Sequence, residues 1–140
     1  MKRIAVTTLF LFVGACAGTG KSTIASLDAL REYTTPSELN RNVERYDRSP
    51  IVVRGLLVLG FEKRYLVDSR KALEDWPSND VCVTLLNVGH LLGRDEINGH
   101  MVELQGTFHR DVLSQGVVRL GACNTTGIEV NQSIDPQVTD

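Results

Sequence analysis

The stretch "IVVRGLLVLGF", residues 51–61, predicts a long β-strand on which the rest of the fold depends. It begins with β-branched residues and is apolar at successive positions, so both of its faces are expected to be buried. Gly55 and Gly60 are the positions at which such a strand can bend or bulge. A long first strand that bends around a core is typical of a small β-barrel.

Shorter strands are predicted on the C-terminal side of this stretch. In residues 102–108, apolar and small residues alternate with more polar ones, which indicates a strand with one buried face. The Asn98-Gly99 pair before it is a strong turn signal. The other predicted strands are Arg64–Asp68, Val81–Leu86, Val117–Leu120 and Ile128–Val130.

Short helices are predicted around these strands. Thr35, followed by Pro36 and Glu38, fits a helix start with Thr35 as the N-cap residue. Further helical segments are expected at Ser69–Trp76 and, between the third and fourth strands, at Val88–Asp95. The predicted fold class is therefore mainly β. The order of elements resembles a small OB-like five-stranded barrel with one or two short helices, preceded by a signal peptide, and another small β-barrel or a β-sandwich is the alternative.

The chain divides into four predicted segments, with room for a single domain of this kind. Residues 1–15 form a signal peptide, residues 16–34 a flexible tether, residues 35–131 the barrel domain and residues 132–140 a disordered tail. The tail is expected to be disordered because it contains no apolar run.

The first fifteen residues have the order of a bacterial secretory signal. Lys2 and Arg3 precede ten uncharged residues, which are followed by the small residues Gly14 and Ala15. The apolar run is shorter than the roughly 20 residues that span a bilayer. Residues 13–16, Val-Gly-Ala-Cys, resemble the lipobox, where cleavage needs small side chains and acyl transfer needs a thiol. The sequence therefore predicts a covalent lipid, with acyl chains such as palmitate, on Cys16 and no other cofactor.

The same region has a second interpretation. Ala15–Ser22 ends in Gly20, Lys21 and Ser22, the ending of a P-loop whose backbone N–H groups hold phosphates. A small P-loop NTPase that binds nucleotide here is the alternative function. Such an enzyme needs a strand ending in an acid for Mg²⁺, for which Asp68 is the candidate, and alternating strands and helices. Because the predicted elements do not alternate in this way, the lipoprotein interpretation is favoured.

The chain contains three cysteines, Cys16, Cys82 and Cys123, and no C-x-x-C pair. If Cys16 carries lipid, an even pair remains in an oxidising compartment. Cys82 and Cys123 are expected to form a disulfide or else to be two buried reduced thiols. The lipoprotein interpretation favours the disulfide.

Charge and aromatic content argue against nucleic acid as a partner. The formal net charge is −2, although residues 41–71 hold eight basic and four acidic residues. This basic region is either a mixed solvated surface or a binding face for an envelope protein or an anionic ligand. Phe61, Tyr65 and Phe108 fall in strand patterns and are expected to pack in the core rather than to stack on bases.

Candidate catalytic and metal-binding residues are few. His90, His100 and His109 have no carboxylate or cysteine at metal-ligand spacing and are expected to be surface or turn residues. The sequence contains neither a G-x-S-x-G elbow nor an H-E-x-x-H helix. The protein is therefore predicted not to be an enzyme and not to bind a metal.

The spaced pattern between residues 45 and 130 resembles a group of small, uncharacterised bacterial envelope proteins. The segments concerned are V-V-R-G-L-L, Y-L-V-D-S, V-C-V-T-L-L-N, N-G-H-M-V-E-L-Q-G-T-F and G-A-C-N-T-T-G-I-E-V. These are mainly core strands and turn glycines, so the resemblance implies a fold rather than an activity. Together with the lipobox it implies a lipid-anchored protein of the bacterial cell envelope with a binding or scaffolding role. Ala17 after Cys16 resembles the sorting signal for the outer membrane, facing the periplasm.

Overall fold

The computed structural model describes residues 32–75, 79–115 and 123–139. The strands in these ranges are β1 (Pro50–Leu59), β2 (Arg64–Val67), β3 (Cys82–Leu86), β4 (Met101–His109), β5 (Gly127–Val130) and β6 (Gln137–Val138). The helices are α1 (Pro36–Arg41), α2 (Val43–Tyr46) and α3 (Arg70–Glu74). No helix within the described ranges is long and apolar enough to cross a membrane.

Five strands close into a barrel in the order β1-β2-β3-β5-β4, and β4 returns to pair with β1. β3 and β5 run parallel, whereas the other barrel pairs are antiparallel. β6 pairs with Val102 and Glu103 at the beginning of β4, beyond the segment that β5 occupies. The predicted fold class, a mainly β chain forming an OB-like barrel with few short helices, is confirmed for the described residues.

β1 closes the barrel because it pairs with two different neighbours along its length. Pro50–Leu56 pairs with β4, and Leu56–Leu59 pairs with β2. Gly55 lies where the two pairings meet, and a Cβ atom built there would lie 2.7 Å from the carbonyl oxygen of Val67. The close approach of the two backbones therefore requires glycine at this position.

Both faces of β1 are apolar because each of them packs against a separate cluster. Val53 and Leu57 belong to the main core inside the barrel, where Phe108 is the largest fully buried side chain. Leu56 points to a second cluster that contains Tyr65, Val67 and the two cysteines. In β4, the predicted alternation is confirmed, since Val102, Leu104 and Phe108 are buried.

The predicted disulfide is confirmed: Cys82 and Cys123 are joined, and their Cα atoms lie 5.9 Å apart. Cys82 is the first residue of β3, and Cys123 lies shortly before β5. The bond therefore ties together the beginnings of the two parallel strands that close the barrel. Because it closes a loop of 41 residues, chain-entropy arithmetic gives it a stabilisation of about 4 kcal/mol.

The segment between β3 and β4 differs from the predicted helix at Val88–Asp95. It contains only a 3₁₀ turn at Gly89–Leu91, followed by further turns. Gly93 has φ +83°, a left-handed conformation that ends a helix. Val88, Leu91 and Ile97 are nevertheless buried in the main core, so the apolar periodicity reflects packing rather than an α-helix.

Two predictions about the ends of the domain are wrong: residue 34 does not belong to a tether, and residues 137–139 do not belong to a disordered tail. Thr34 forms a parallel bridge with Val53, so the tether predicted for residues 16–34 ends before this residue; residues 16–31 lie outside the described ranges. In the tail predicted to be disordered, Val138 pairs with Val102, and the side chain of Arg54 hydrogen-bonds Thr139. A two-residue strand is too short to be recognised from its apolar pattern. The strand predicted at Val117–Leu120 lies outside the described residues.

Replacing Gly55 with alanine is expected to lower the free energy of unfolding by about 1–3 kcal/mol, because the added methyl group overlaps the Val67 carbonyl. Gly89→Ala is the matched control, since a Cβ there meets nothing within 4 Å and should change stability by less than about 0.5 kcal/mol. Urea denaturation of both variants measures the difference. Equal effects would contradict the close approach of β1 and β2.

Candidate binding site at the tip of the β1–β2 hairpin

The residues predicted to carry lipid or nucleotide lie outside the described part of the chain. These are Cys16 for acylation and, for the alternative P-loop, Ala15–Ser22 with Gly20, Lys21 and Ser22. Both interpretations of this segment therefore stay predictions.

Asp68, the acid that the P-loop alternative assigns to Mg²⁺, has a structural contact. Its Oδ1 accepts a hydrogen bond of 2.8 Å from the backbone N–H of Ser37, in the first turn of α1. Thr35 caps the same helix as predicted, because its hydroxyl oxygen accepts from the N–H of Glu38. Asp68 thus holds α1 against the end of β2.

The three histidines lie in different surroundings. His90 is in the 3₁₀ turn, and both of its ring nitrogens are buried without a hydrogen-bond partner among the described residues. His100 is exposed just before β4, and Nε2 of His109 lies 3.5 Å from a carboxylate oxygen of Glu129. Within the described ranges, no group of three or more His, Cys, Asp or Glu residues could hold a metal ion.

The basic region at residues 41–71 is distributed over several parts of the barrel. Arg54 lies on β1, where it is engaged with Thr139, and Arg70 donates to the carbonyl oxygen of Gly99 at 2.8 Å. Lys71 is paired with Asp75 on α3. The remaining members are Arg41 and Arg45 on the first two helices, Arg48 after them, and Lys63 and Arg64 at the β1–β2 hairpin. A patch at the hairpin is therefore a better candidate than the whole region.

Phe61 is the strongest indication of a binding surface, and the prediction that it packs in the core is wrong. Its side chain is 95% exposed, whereas Tyr65 and Phe108 are buried as predicted. The N–H of Gly60 donates to the carbonyl oxygen of Lys63, which closes the turn and leaves Phe61 at its tip. An exposed aromatic side chain of this size is more informative than a scattered aliphatic one, since it exposes a large apolar area.

Phe61 lies beside a concave surface of about 400 Å³, called here the hairpin-tip cleft. Leu92, which is 43% exposed, extends the apolar surface, and Arg64 supplies positive charge. Arg94 and Asp95 also line the cleft, and their charges are opposite. One aromatic anchor, an exposed leucine and the guanidinium of Arg64 suit binding of a partner surface that carries an apolar side chain and a carboxylate.

The walls of the hairpin-tip cleft are held by polar contacts. The side chain of Asn98 accepts from the N–H of Leu59 at 2.8 Å and donates to its carbonyl oxygen at 3.0 Å. Arg94 contacts Glu96 at 2.7 Å and Asp135 at 3.1 Å. The hydrogen bond from Arg94 lowers the pKa of the Glu96 carboxyl and raises the pKa of the guanidinium.

The sequence contained one signal for this site that the strand pattern concealed. Phe61 directly follows Gly60 and precedes Glu62 and Lys63, a composition that belongs to a turn rather than to a strand. Leu92 could not be assigned to the site, because its place beside the hairpin depends on the turns between β3 and β4.

The fold and site define a closed OB-like barrel with a disulfide at its closing strands and an exposed aromatic at one hairpin. Comparisons with protein-family models, with curated proteins and with solved structures give no match.

Asn98→Ala is expected to lower the free energy of unfolding by about 1–3 kcal/mol, because it leaves two backbone groups of Leu59 without their partner. Phe61→Ala should change it by less than about 0.5 kcal/mol, since that side chain is 95% exposed. Thermal and urea unfolding of the two variants make the comparison. A loss for Phe61→Ala as large as that for Asn98→Ala would mean that the ring is packed in solution.

Proposed function

We propose that this chain is a lipid-anchored protein of the bacterial cell envelope, with Cys16 as its acylated residue and the barrel as a binding domain. Its role is binding or scaffolding rather than catalysis. The orientation that we propose is on the outer membrane, facing the periplasm.

The observation that carries this proposal is the disulfide between Cys82 and Cys123. Stable disulfides are rare in the reducing cytosol and common in exported proteins. Once these two cysteines are paired, Cys16 is the remaining thiol, and it follows a charged start, an apolar run and two small residues. The disulfide and the N-terminal residues 1–15 are separate observations, and both support export to the cell envelope.

Acylation accounts for membrane attachment without a spanning helix. Each buried CH₂ group contributes about 0.8 kcal/mol, and two or more acyl chains give stable anchoring. The alternative P-loop NTPase receives no support from the described residues, because the barrel strands do not alternate with helices and Asp68 caps α1.

The hairpin-tip cleft is the surface that we propose for the partner, an envelope protein with an acidic group beside an apolar pocket. Phe61 would supply the apolar anchor and Arg64 the charge that orients the partner. Nucleic acid is disfavoured, because removal of residues 1–15 leaves 13 basic and 17 acidic residues and only one exposed aromatic lies in this cleft.

Cys16→Ser is expected to move the protein from the membrane fraction to the soluble fraction and to abolish incorporation of labelled palmitate, because the acyl-accepting thiol is lost. Lys21→Ala is the matched control and should leave both readouts unchanged. Fractionation of cells that express each variant measures this. If Cys16→Ser stays on the membrane, or if Lys21→Ala abolishes nucleotide binding, the lipoprotein proposal fails.

A photo-reactive benzoylphenylalanine at position 61 should form a covalent adduct with an envelope protein in irradiated cells. The same residue at position 113 is the control, because Leu113 is also exposed (41%) but lies outside the hairpin-tip cleft. Arg64→Glu should reduce the adduct by about tenfold, since the charge that attracts an acidic partner is reversed. Identical adducts at both positions, or none at position 61, would exclude the hairpin as the binding surface.

A further inference from the structure

A second cleft lies at the beginning of β1, at the opposite end of that strand from the hairpin. Its volume is about 500 Å³, which falls within the range of about 300–1,000 Å³ found for small-molecule sites. Residues 32–34, the first two helices, the start of β1 and Gln105 of β4 form its walls. We call it the Tyr33 cleft.

Tyr33 is held in place before any ligand arrives. The guanidinium carbon of Arg54 lies 5.4 Å from the centroid of the Tyr33 ring, and the ring keeps 45% of its surface exposed. Arg54 is itself fixed, because Nε and Nη2 donate to the hydroxyl and carbonyl oxygens of Thr139 at 3.0 and 2.8 Å. A preorganised aromatic surface loses little conformational entropy on binding.

A second tyrosine on the wall has a similar arrangement. The guanidinium carbon of Arg45 lies 5.2 Å from the centroid of the Tyr46 ring. The Tyr46 hydroxyl donates to a carboxylate oxygen of Glu38 at 3.0 Å. The Tyr33 cleft therefore combines two fixed aromatic rings with carboxylate, guanidinium, amide and hydroxyl groups that donate and accept hydrogen bonds.

Thr34 adds a polar group without a partner. The residue is 7% exposed, and its backbone N–H and carbonyl groups are both bonded to β1. Its Oγ1 has no hydrogen-bond partner among the described residues, although the residue lines the Tyr33 cleft. A buried hydroxyl without a hydrogen-bond partner is unfavourable. Rotation of the Thr34 side chain towards the cleft would let its hydroxyl bond to a ligand hydroxyl, which would remove this cost.

The lining of the Tyr33 cleft carries charges of both signs. Glu32 and Glu38 are acidic and Arg45 is basic, while Arg54 lies against the Tyr33 ring and does not itself line the cleft. This lining offers no excess of positive charge for an anionic ligand, and Glu38 is already engaged with the Tyr46 hydroxyl. Aromatic faces together with groups that donate and accept hydrogen bonds suit a neutral ligand that has C–H faces and many hydroxyl groups.

We infer that the Tyr33 cleft binds a short neutral saccharide. The C–H face of a sugar ring packs on Tyr33, and its hydroxyl groups bond to Gln105, Ser49 and Thr34. This inference goes beyond the proposed function and does not depend on the lipid anchor, because every residue that it uses lies between residues 32 and 139 and none belongs to the N-terminal segment that carries Cys16.

The test is titration of the full chain, in a detergent without a sugar headgroup, with chitotetraose and with maltotetraose. Calorimetry and saturation-transfer NMR should detect binding of at least one tetrasaccharide. Tyr33→Ala should weaken it by about tenfold, because the stacking surface is lost. Thr34→Val should weaken it by about fivefold without lowering the melting temperature, since a methyl group replaces an unpartnered hydroxyl. Leu113→Ser, on another surface, should leave affinity unchanged.

Three results would overturn the inference. The first is no binding of either tetrasaccharide at concentrations up to about 10 mM. The second is binding that Tyr33→Ala leaves intact, which would place the sugar elsewhere. The third is tighter binding of hexathymidylate than of both sugars, lost in Tyr33→Ala, which would assign the cleft to single-stranded nucleic acid. Each result leaves the outcome of the Cys16→Ser experiment unaffected, so the two proposals fail separately.

Discussion

The parallel pairing of β3 with β5 is the interaction on which the rest of the structure depends. Without it the sheet would remain open, and the main core would lose the contact between Leu85 and Ile128 across the closing strands. Parallel neighbours cannot be joined by a tight turn, so the chain must return from a distance before they meet. The disulfide from Cys82 to Cys123 lowers the entropic cost of holding the beginnings of these two strands together.

The same closure explains why β1 is long and apolar on both faces. Its first half completes the barrel against β4 and its second half pairs with β2, and the two pairings meet at Leu56, next to Gly55. On the face directed away from the barrel interior, Leu56 and Val58 pack in the cluster that contains the disulfide. The bond therefore belongs to the packing of the fold, and it is also the observation on which we base the proposal of an oxidising compartment.

The sequence predicted the features that are determined by residues close together in the chain. Alternation along β4 and the cap at Thr35 each depend on a few neighbouring residues. The exposure of Phe61 was missed, because an aromatic after an apolar run looks like the continuation of a strand. The Tyr33 cleft could not be predicted, since it joins residue 33, α2 and Gln105 through the topology. The pairing of Val138 with Val102 was missed because a two-residue strand has no recognisable apolar pattern.

An exported barrel, closed by a disulfide and anchored by lipid, is the central claim. Intact mass spectrometry of the chain recovered from cell membranes, with and without reduction, tests it most directly. The account predicts a polypeptide beginning at Cys16, with acyl chains added and a gain of two hydrogens on reduction. A chain that retains Met1, carries no acyl group and offers three thiols to alkylation without reductant would contradict it.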